Sequence, residues 1–279
     1  MARHRHGMTR WLSAAAALFA CLLTAPAHAQ ELIFGVNEGV TYHVTPQETR
    51  ERYRLLADLI AKALKRPVRV EPVDNYVKLR HSLEAGHYDL VYIHPAHHAL
   101  RAIRDGKYQL VALTKGYTEY KAQFLVKKDS PLQKPSEMRD KRLVMPDPDS
   151  ITAWMVRATL RDLGFDVAKM TLNTTRYQDA IPFMLENGFN DVGATAANAV
   201  VKEWQAKGGR VLFASRAVPI KHFIASTRLS KAEVERVREL LLGLDTSPKD
   251  KPALTRIGFQ GFVSGNDQQL TEITKWLGI

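Results

Sequence analysis

The sequence contains a single cysteine, Cys21, among its 279 residues. One cysteine cannot form a disulfide within the chain, and it cannot supply a thiolate cluster for a metal. Acidic residues are also scarce, since 29 Asp and Glu stand against 40 Lys and Arg, which gives a formal net charge of +11. Charged residues make up 25% of the chain and apolar residues 45%, so the composition excludes a disordered or fibrous protein.

Long apolar runs are absent after Gln30, and that part of the sequence predicts no membrane-spanning helix. The one apolar run, Trp11 to Thr24, is roughly 14 residues long, short of the ~20 that a transmembrane helix needs. It follows three arginines and precedes Ala27-His28-Ala29, a small-x-small sequence. This order predicts a secretory signal peptide over residues 1–29 and an exported mature protein.

The export signal affects two further interpretations. Leu18-Phe19-Ala20-Cys21 is a poor match to a lipobox, and lipid attachment at Cys21 would anchor the protein to a membrane.

The excess of basic residues would suggest a nucleic-acid partner for a cytoplasmic protein. For an exported protein, small anions or an anionic membrane surface are the more usual partners, and the charge can also be a general property of the surface. No nucleic-acid partner is therefore expected.

Apolar strands alternate with amphipathic helices along the chain, a pattern typical of α/β proteins. Glu31 to Val36 is predicted to be a buried strand, and the first helix begins with Thr45 as N-cap, Pro46 at N1 and Glu48 closing a capping box. Further strands are expected at 68–71, 89–93, 109–113, 122–126, 142–145, 171–173, 191–194 and 211–214. Further helices are expected at 76–85, 95–104, 135–140, 152–163, 177–185, 196–206, 230–244 and 249–257, followed by a tail. The alternation predicts parallel sheets in two α/β units, with the C-terminal helices returning to the first unit.

Four groups of residues, in this order along the chain, resemble one family. They are Leu32-Ile-Phe-Gly-Val36 with Leu64-Lys-Arg-Pro67-Val68; Asp74-Asn-Tyr76 with Leu83-Glu-Ala-Gly86 and Tyr88-Asp89-Leu-Val; Val126-Lys-Lys-Asp-Ser130 with Met138-Arg-Asp-Lys141-Arg142; and Asp147-Pro148-Asp149-Ser150-Ile151-Thr152-Ala153. Over residues 31 to about 265 the chain is similar to the phosphate/phosphite/phosphonate-type periplasmic solute-binding proteins of ABC importers. These proteins have the type II periplasmic-binding-protein fold.

The resemblance implies an α/β protein of two lobes with a ligand cleft between them. Lobe one is expected at 31–118 plus 224–279, and lobe two at 119–223. The implied function is capture of a small oxyanion, such as phosphate, phosphite or a phosphonate, and its delivery to a membrane permease. The implied protein is periplasmic and monomeric, needs no cofactor and is not an enzyme. Consistent with this, no catalytic motif is found after Gln30.

The strongest candidate for the binding site is the helix start formed by Ser150, Ile151, Thr152 and Ala153. The first amides of a helix have no intrahelical partner, and they favour an anion together with the positive end of the helix dipole. The hydroxyl groups of Ser150 and Thr152 would add two donors. The alternative interpretation is ordinary capping of the helix by Ser150.

Further candidate residues follow the predicted strands, because ligands in open α/β sheets bind at the carboxyl ends of strands. Tyr42 follows the first strand, Tyr76 precedes the second helix and His94 follows the third strand; the resemblance implies that all three contact ligand. In the second unit the corresponding candidates are Tyr177 and Thr195. Each could instead be a surface residue or a core residue with a polar tip.

Two positions depart from the family members that bind aminophosphonates. Those members hold the ligand's amine with acids in two loops where this sequence has Gln178 and Lys221. A lysine repels an ammonium group, so the departures favour a neutral or more anionic ligand, with Lys221 as a binding residue.

Two alternatives to oxyanion transport remain open at this stage. His94 with His97 or His98 has i,i+3 or i,i+4 spacing on a predicted helix, so these imidazoles, with His43, could bind a metal or metal chelate. The same fold could also present its ligand to a membrane sensor kinase.

Overall fold

A computed structural model describes residues 30–39 and 44–279. Four expectations fall on residues outside these ranges: the signal peptide over 1–29, lipid attachment at Cys21, the ligand contact of Tyr42 and the metal ligand His43. Within the described ranges, no helix has both the length and the apolar character needed to cross a bilayer.

Two sheets with helices packed against them form the structure, which confirms the α/β class. The strands are β1 (Leu32–Asn37), β2 (Val68–Pro72), β3 (Leu90–Ile93), β4 (Tyr108–Thr114), β5 (Gln123–Val126), β6 (Leu143–Pro146), β7 (Leu172–Thr175), β8 (Val192–Thr195), β9 (Arg210–Ala214), β10 (His222–Ser226) and β11 (Phe262–Val263). The helices are α1 (Pro46–Leu64), α2 (Tyr76–Glu84), α3 (Ala96–Arg104), α4 (Ile151–Asp162), α5 (Ala180–Glu186), α6 (Asn198–Ala206), α7 (Lys231–Gly243), α8 (Lys251–Ile257) and α9 (Asp267–Leu277). Short 3-10 helices cover Pro135–Met138 and Val167–Lys169.

The sheets are mixed, whereas parallel sheets were expected. The first has the order β11-β4-β10-β3-β1-β2 and the second β7-β6-β8-β5-β9. Strands β1, β2 and β3 are parallel, as are β6, β7 and β8. Strand β10 runs antiparallel to β3 and β4, and β5 runs antiparallel to β8 and β9. Each of these antiparallel strands directly follows a crossing of the chain from one sheet to the other, so it enters its sheet from the edge that faces the other sheet.

Helix α1 shows how closely local sequence determines the local structure here. The Thr45 hydroxyl accepts a hydrogen bond from the Glu48 amide, and the Glu48 carboxylate accepts one from the Thr45 amide, as the capping box predicts. The buried face of α1 contacts α7 and α8. The expected return of the C-terminal helices to the first unit is therefore confirmed for these two helices.

The expected C-terminal tail is instead strand β11 followed by helix α9. Asn266 caps α9, and Leu270, Ile273 and Leu277 form its buried stripe. The helix contacts both α3 of the first lobe and α4 of the second lobe. In the second lobe, Arg161 donates hydrogen bonds to the carbonyls of Trp276 and Leu277, and the Trp276 indole donates to the Asp162 carboxylate at 2.9 Å.

Gly35 lies in β1 of the first sheet, the strand that leads into the cleft. A Cβ atom at this position would lie 2.8 Å from the ring of Tyr88, which is completely buried. We therefore predict that Gly35→Ala lowers the free energy of unfolding by about 1–3 kcal/mol through overpacking. Gly243→Ala is the control, because its Cβ would meet nothing within 4 Å. Urea unfolding of the wild type and both variants tests this prediction. A Gly35→Ala variant as stable as the wild type would contradict it.

Candidate functional site

A cavity of about 390 Å³ lies between the two lobes, at the carboxyl ends of parallel strands from both sheets. Its first-lobe wall includes Glu38 and Gly39 after β1, Val73 and Asp74 after β2, and the start of α1. Arg176 and Tyr177, which follow β7, form the second-lobe wall. The topology therefore produces a cleft at the place where open α/β sheets bind their ligands.

The segment after β1 is held rigidly at the cavity wall. The buried Asn37 side chain donates to the Val73 carbonyl at 2.6 Å, and its oxygen accepts from the Gly39 amide at 3.1 Å. The Glu38 carboxylate accepts two hydrogen bonds from Arg52, at 2.7 and 3.1 Å, and a third from the Tyr53 hydroxyl at 2.9 Å. The Arg52 guanidinium therefore neutralises the charge of Glu38, so this carboxylate does not leave the cavity wall anionic. Glu38 is not among the residues that the sequence pattern marked as candidates for the site.

His94 and Tyr76 both lie beside Gly39. A Cβ atom built on Gly39 would be 3.5 Å from the His94 ring and 3.8 Å from the Tyr76 hydroxyl. The His94 amide also donates to the Asn37 carbonyl at 2.9 Å, which fixes the end of β3 against the end of β1. Burial, together with the positive charge of Lys221, lowers the pKa of His94 to about 3. His94 is therefore a neutral imidazole at physiological pH.

Lys221 immediately precedes β10 and is only 9% exposed. Its ammonium lies 3.5 Å from the centre of the Tyr117 ring and 5.1 Å from that of Phe259, so aromatic rings rather than a carboxylate are its close described neighbours. Burial lowers the pKa of Lys221 to about 8; Arg52 lowers it further, and Glu38 acts in the opposite sense. The side chain remains mostly charged at neutral pH, which makes it a buried cation able to attract an anion.

At the start of α4, Ser150 caps the helix, and the amides of Ile151 and Thr152 come before the first intrahelical hydrogen bond. The Ser150 hydroxyl accepts a hydrogen bond from the Ala153 amide at 3.2 Å, and the first intrahelical bond runs from the Trp154 amide to the Ser150 carbonyl. The amide of Ala153, expected as a ligand donor, is therefore already used by the cap. The amides of Ile151 and Thr152 precede that first bond and provide the dipole end of the helix. None of Ser150, Ile151, Thr152 and Ala153 is among the residues that line the cavity.

Thr195 and Gln178 bond to each other in the second lobe. The Thr195 hydroxyl donates to the Gln178 side-chain oxygen at 2.8 Å, and the same oxygen accepts from the Ala196 amide at 2.8 Å. A hydroxyl has one hydrogen, so Thr195 has no second donor for a ligand in this arrangement. The neighbouring Tyr177 lines the cavity, with the Arg176 guanidinium 5.4 Å from its ring centre.

The three neighbouring histidines do not share one site. His97 and His98 lie against Asp149, at 3.3 and 3.8 Å from its carboxylate oxygens, whereas His94 lies beside Gly39. The metal alternative required His94 and one of the others on a common helix face, but His94 lies before the start of α3. Guanidinium groups next to His97 and His98 also disfavour a divalent cation there.

The burial of Lys221 predicts a stability cost that a neutral side chain removes. Its pKa is about 8 in the folded protein and 10.5 in an unfolded chain, so the folded state binds fewer protons between these pH values. We expect Lys221→Met to raise the free energy of unfolding at pH 7 by on the order of 1–3 kcal/mol, and this gain to shrink at pH 9.5. Urea unfolding at both pH values measures it, with exposed Lys202→Met as the control. A destabilised variant at pH 7 would contradict the assignment.

Several solved structures have the same fold. XAC2383 from Xanthomonas citri bound to ATP is 17% identical, with a TM-score of 0.73 over 90% of this chain and 98% of that one. PhnD1 from Prochlorococcus marinus in complex with methylphosphonate is 16% identical, with a TM-score of 0.64 over 88% and 96%. A binding-protein component of an ABC phosphonate transporter from Pseudomonas aeruginosa is 15% identical, with a TM-score of 0.61 over 89% and 85%. These likenesses confirm the type II periplasmic-binding-protein fold. Comparison with curated protein sequences gives no match.

The family model described as "ABC transporter, phosphonate, periplasmic substrate-binding protein" matches residues 39–270, which is most of the chain. The match confirms the expected solute-binding role and periplasmic location. It also confirms the expectation that the protein is not an enzyme, because members of this family bind a transporter's substrate. The metal-binding and sensor-kinase alternatives are not favoured. The chain belongs to the family of periplasmic phosphonate-binding proteins of ABC transporters.

Proposed function

We propose that this protein binds a phosphonate, or an oxyanion of similar size, in the cavity between its lobes and delivers it to a membrane permease. The observation that carries this proposal is the buried ammonium of Lys221, which has aromatic neighbours and lies close enough to His94 to lower its pKa. The mature protein begins after removal of residues 1–29. It acts as a monomer and has no nucleic-acid partner.

The charges around the cavity favour an anionic ligand. The carboxylate of Glu38 is neutralised by Arg52, while Lys221 is charged and lacks a close carboxylate among the described residues. Arg176 adds a second cation at the opposite wall. A buried cation attracts an anion more strongly than a surface cation does, because the protein interior screens the charges less than water. An incoming phosphonate would supply the counter-charge that Lys221 lacks.

Binding would combine groups of both lobes. We place lobe one at 31–118 plus 224–279 and lobe two at 119–223, with the hinge in the two crossing segments between the sheets. Tyr76, Tyr42 and His94 would contact the ligand from the first lobe, and Tyr177 and the α4 start from the second. Lys221, at the end of the crossing segment that leads into β10 of the first sheet, would contact it between them. A rotation about the hinge would bring the amides of Ile151 and Thr152 toward the anion.

The structural relatives support an oxyanion. The Prochlorococcus marinus protein was solved with methylphosphonate and the Xanthomonas citri protein with ATP, and both ligands carry tetrahedral phosphorus with anionic oxygens. Methylphosphonate is therefore the first probe to use for this protein.

We predict that the chain from Gln30 onward binds methylphosphonate, and that Lys221→Met weakens this binding at least about tenfold, since a charge-assisted hydrogen bond is worth about 1.5–3 kcal/mol. Isothermal titration at pH 7.5 with methylphosphonate, phosphate and sulfate measures the affinities. Lys202→Met is the matched control, because it removes the same charge from an exposed position. Equal affinities in the wild type and in Lys221→Met would contradict the proposed site, and no binding of any of the three anions would contradict the proposed ligand class.

Gln178 provides a test of selectivity. Its side-chain oxygen accepts from Thr195 and Ala196, and a carboxylate oxygen can accept the same two hydrogen bonds. Gln178→Glu would therefore keep the local structure and add one negative charge beside the cavity residue Tyr177. We expect the variant to gain affinity for 2-aminoethylphosphonate relative to methylphosphonate, because the new carboxylate attracts the ligand's ammonium group. An unchanged ratio of the two affinities would place Gln178 outside the selective part of the site.

A further inference from the structure

A polar cluster connects the two lobes outside the lining of the cavity. Asp149, in the loop before α4 of the second lobe, contacts three side chains of the first lobe. Its carboxylate lies 3.4 Å from Arg80 of α2, 3.3 Å from His97 and 3.8 Å from His98 of α3. Trp154 of α4 stacks on the His97 ring with a centroid distance of 5.4 Å and an interplanar angle of 22°. One carboxylate of the second lobe therefore contacts two imidazoles of the first, and one indole of the second lobe covers His97.

Both imidazoles at the contact between the lobes are almost completely buried. His97 is 0% exposed and His98 is 2% exposed. Nδ1 of His97 and both ring nitrogens of His98 make no hydrogen bond with the described residues. A second ring proton on His98 would therefore require a new acceptor. The carboxylate of Asp149 is the nearest one, and it already contacts Arg80 and His97.

The surrounding charges oppose a further positive charge at this place. Arg80 of α2 and Arg101 of α3 act on His98, and Arg101 and Arg157 of α4 act on His97. The guanidinium groups of Arg101 and Arg157 also lie over the Trp154 ring, at 5.6 and 5.2 Å from its centre. Asp149 contacts Arg80 and the two imidazoles and also acts on Arg157. On the other side of His98, Glu84, Asp105 and Lys107 of the first lobe line a small cavity with His98 and Arg101, and Tyr76 supplies a neutral ring 5.5 Å from His98.

We propose that Asp149, Trp154, His97 and Arg80 form an acid-sensitive latch, which holds the lobes together while His97 is neutral and releases them when His97 is protonated. The latch adds control over opening to the proposed binding function. It would make the protein hold its ligand near neutral pH and release it more readily in acid.

The direction of the effect follows from the burial of the imidazoles. Burial lowers the pKa of His97 in the closed arrangement, against the opposing effect of Asp149, and it lowers the pKa of His98 as well. Separation of the lobes removes the stacked Trp154 ring, and the ring of His97 then regains an ordinary pKa near 6.5. The open form therefore binds more protons below about pH 6.5, and acid shifts the equilibrium toward it. Burial also raises the pKa of Asp149, but His97, His98 and Arg80 lower it overall, so protonation of Asp149 at still lower pH weakens the same contact.

The test measures lobe separation without any ligand, so its outcome does not depend on the identity of the oxyanion. Because Cys21 is the only cysteine, the chain from Gln30 onward can be labelled at two introduced cysteines, Gln47→Cys and Asp179→Cys, which flank opposite walls of the cavity. Electron–electron double resonance then gives the distance between the spin labels at pH 7.5 and pH 5.5. We expect one short distance at pH 7.5 and a longer distance gaining population at pH 5.5.

Three variants isolate the latch. His97→Gln cannot be protonated and should keep the short distance at pH 5.5, whereas Asp149→Asn should show the longer distance at both pH values. His81→Gln removes an exposed histidine of α2 and should behave as the wild type. Thermal unfolding confirms that each variant is folded, and if His97→Gln is not, the comparison of Asp149→Asn with the wild type still tests the contact.

A second measurement tests the latch through the affinity for methylphosphonate. Between pH 6.5 and 5.5 the dissociation constant for methylphosphonate should rise up to about tenfold more in the wild type than in His97→Gln, and ligand protonation cancels in this comparison. Label distances that do not change with pH, or that change equally in His97→Gln, would overturn the proposal. A short distance at pH 7.5 that is lost in chelator and restored by Zn²⁺ would also overturn it, because the cluster would then be a metal site.

Discussion

The chain crosses between the two sheets twice, and the crossing segments are hydrogen-bonded to each other. Tyr120 and Val218 exchange two backbone hydrogen bonds, at 3.1 and 2.8 Å, and Ser215 and Ala122 continue the pairing with 2.8 and 2.9 Å contacts. These bonds hold the carboxyl ends of the parallel strands of both sheets toward one cavity. Because β5 and β10 begin directly after the crossings, Lys221 comes to lie at the same edge of the first sheet as the segment after β1 and the segment after β3.

The charges of the cleft are balanced differently from those of the rest of the surface. Many surface charges are in exposed ion pairs, which contribute little to stability. In the cleft, Arg52 neutralises the charge of Glu38. Lys221 has aromatic neighbours, and its burial lowers its pKa. Lys221 is not among the residues that line the cavity, but its charge interacts with Glu38 of the cavity wall and with His94. A destabilising buried cation at this place suits the binding of an anion, because the anion brings the missing counter-charge.

Local features were predictable from the sequence, whereas features that depend on distant residues were not. The capping box of Thr45 and Glu48 and most strand and helix positions follow from neighbouring residues, and the structure confirms them. The antiparallel direction of β5 and β10 depends on where the chain crosses between the sheets, which no local pattern records. Glu38 was missed because its role depends on Arg52, 14 positions along the chain. Asp149 contacts His97 because the two lobes pack together there, and the two residues are 52 positions apart. No local sequence pattern could therefore predict this contact.

The central claim is that Lys221 and the cleft around it hold a small oxyanion. A crystal structure of the chain from Gln30 onward, grown with methylphosphonate at pH 7.5, tests this claim most directly. The account predicts a phosphonate oxygen about 3 Å from Nζ of Lys221, with the α4 start facing the same anion from the other lobe. A phosphonate bound elsewhere, or a Lys221 side chain that still packs only on Tyr117 with ligand present in the cleft, would contradict it.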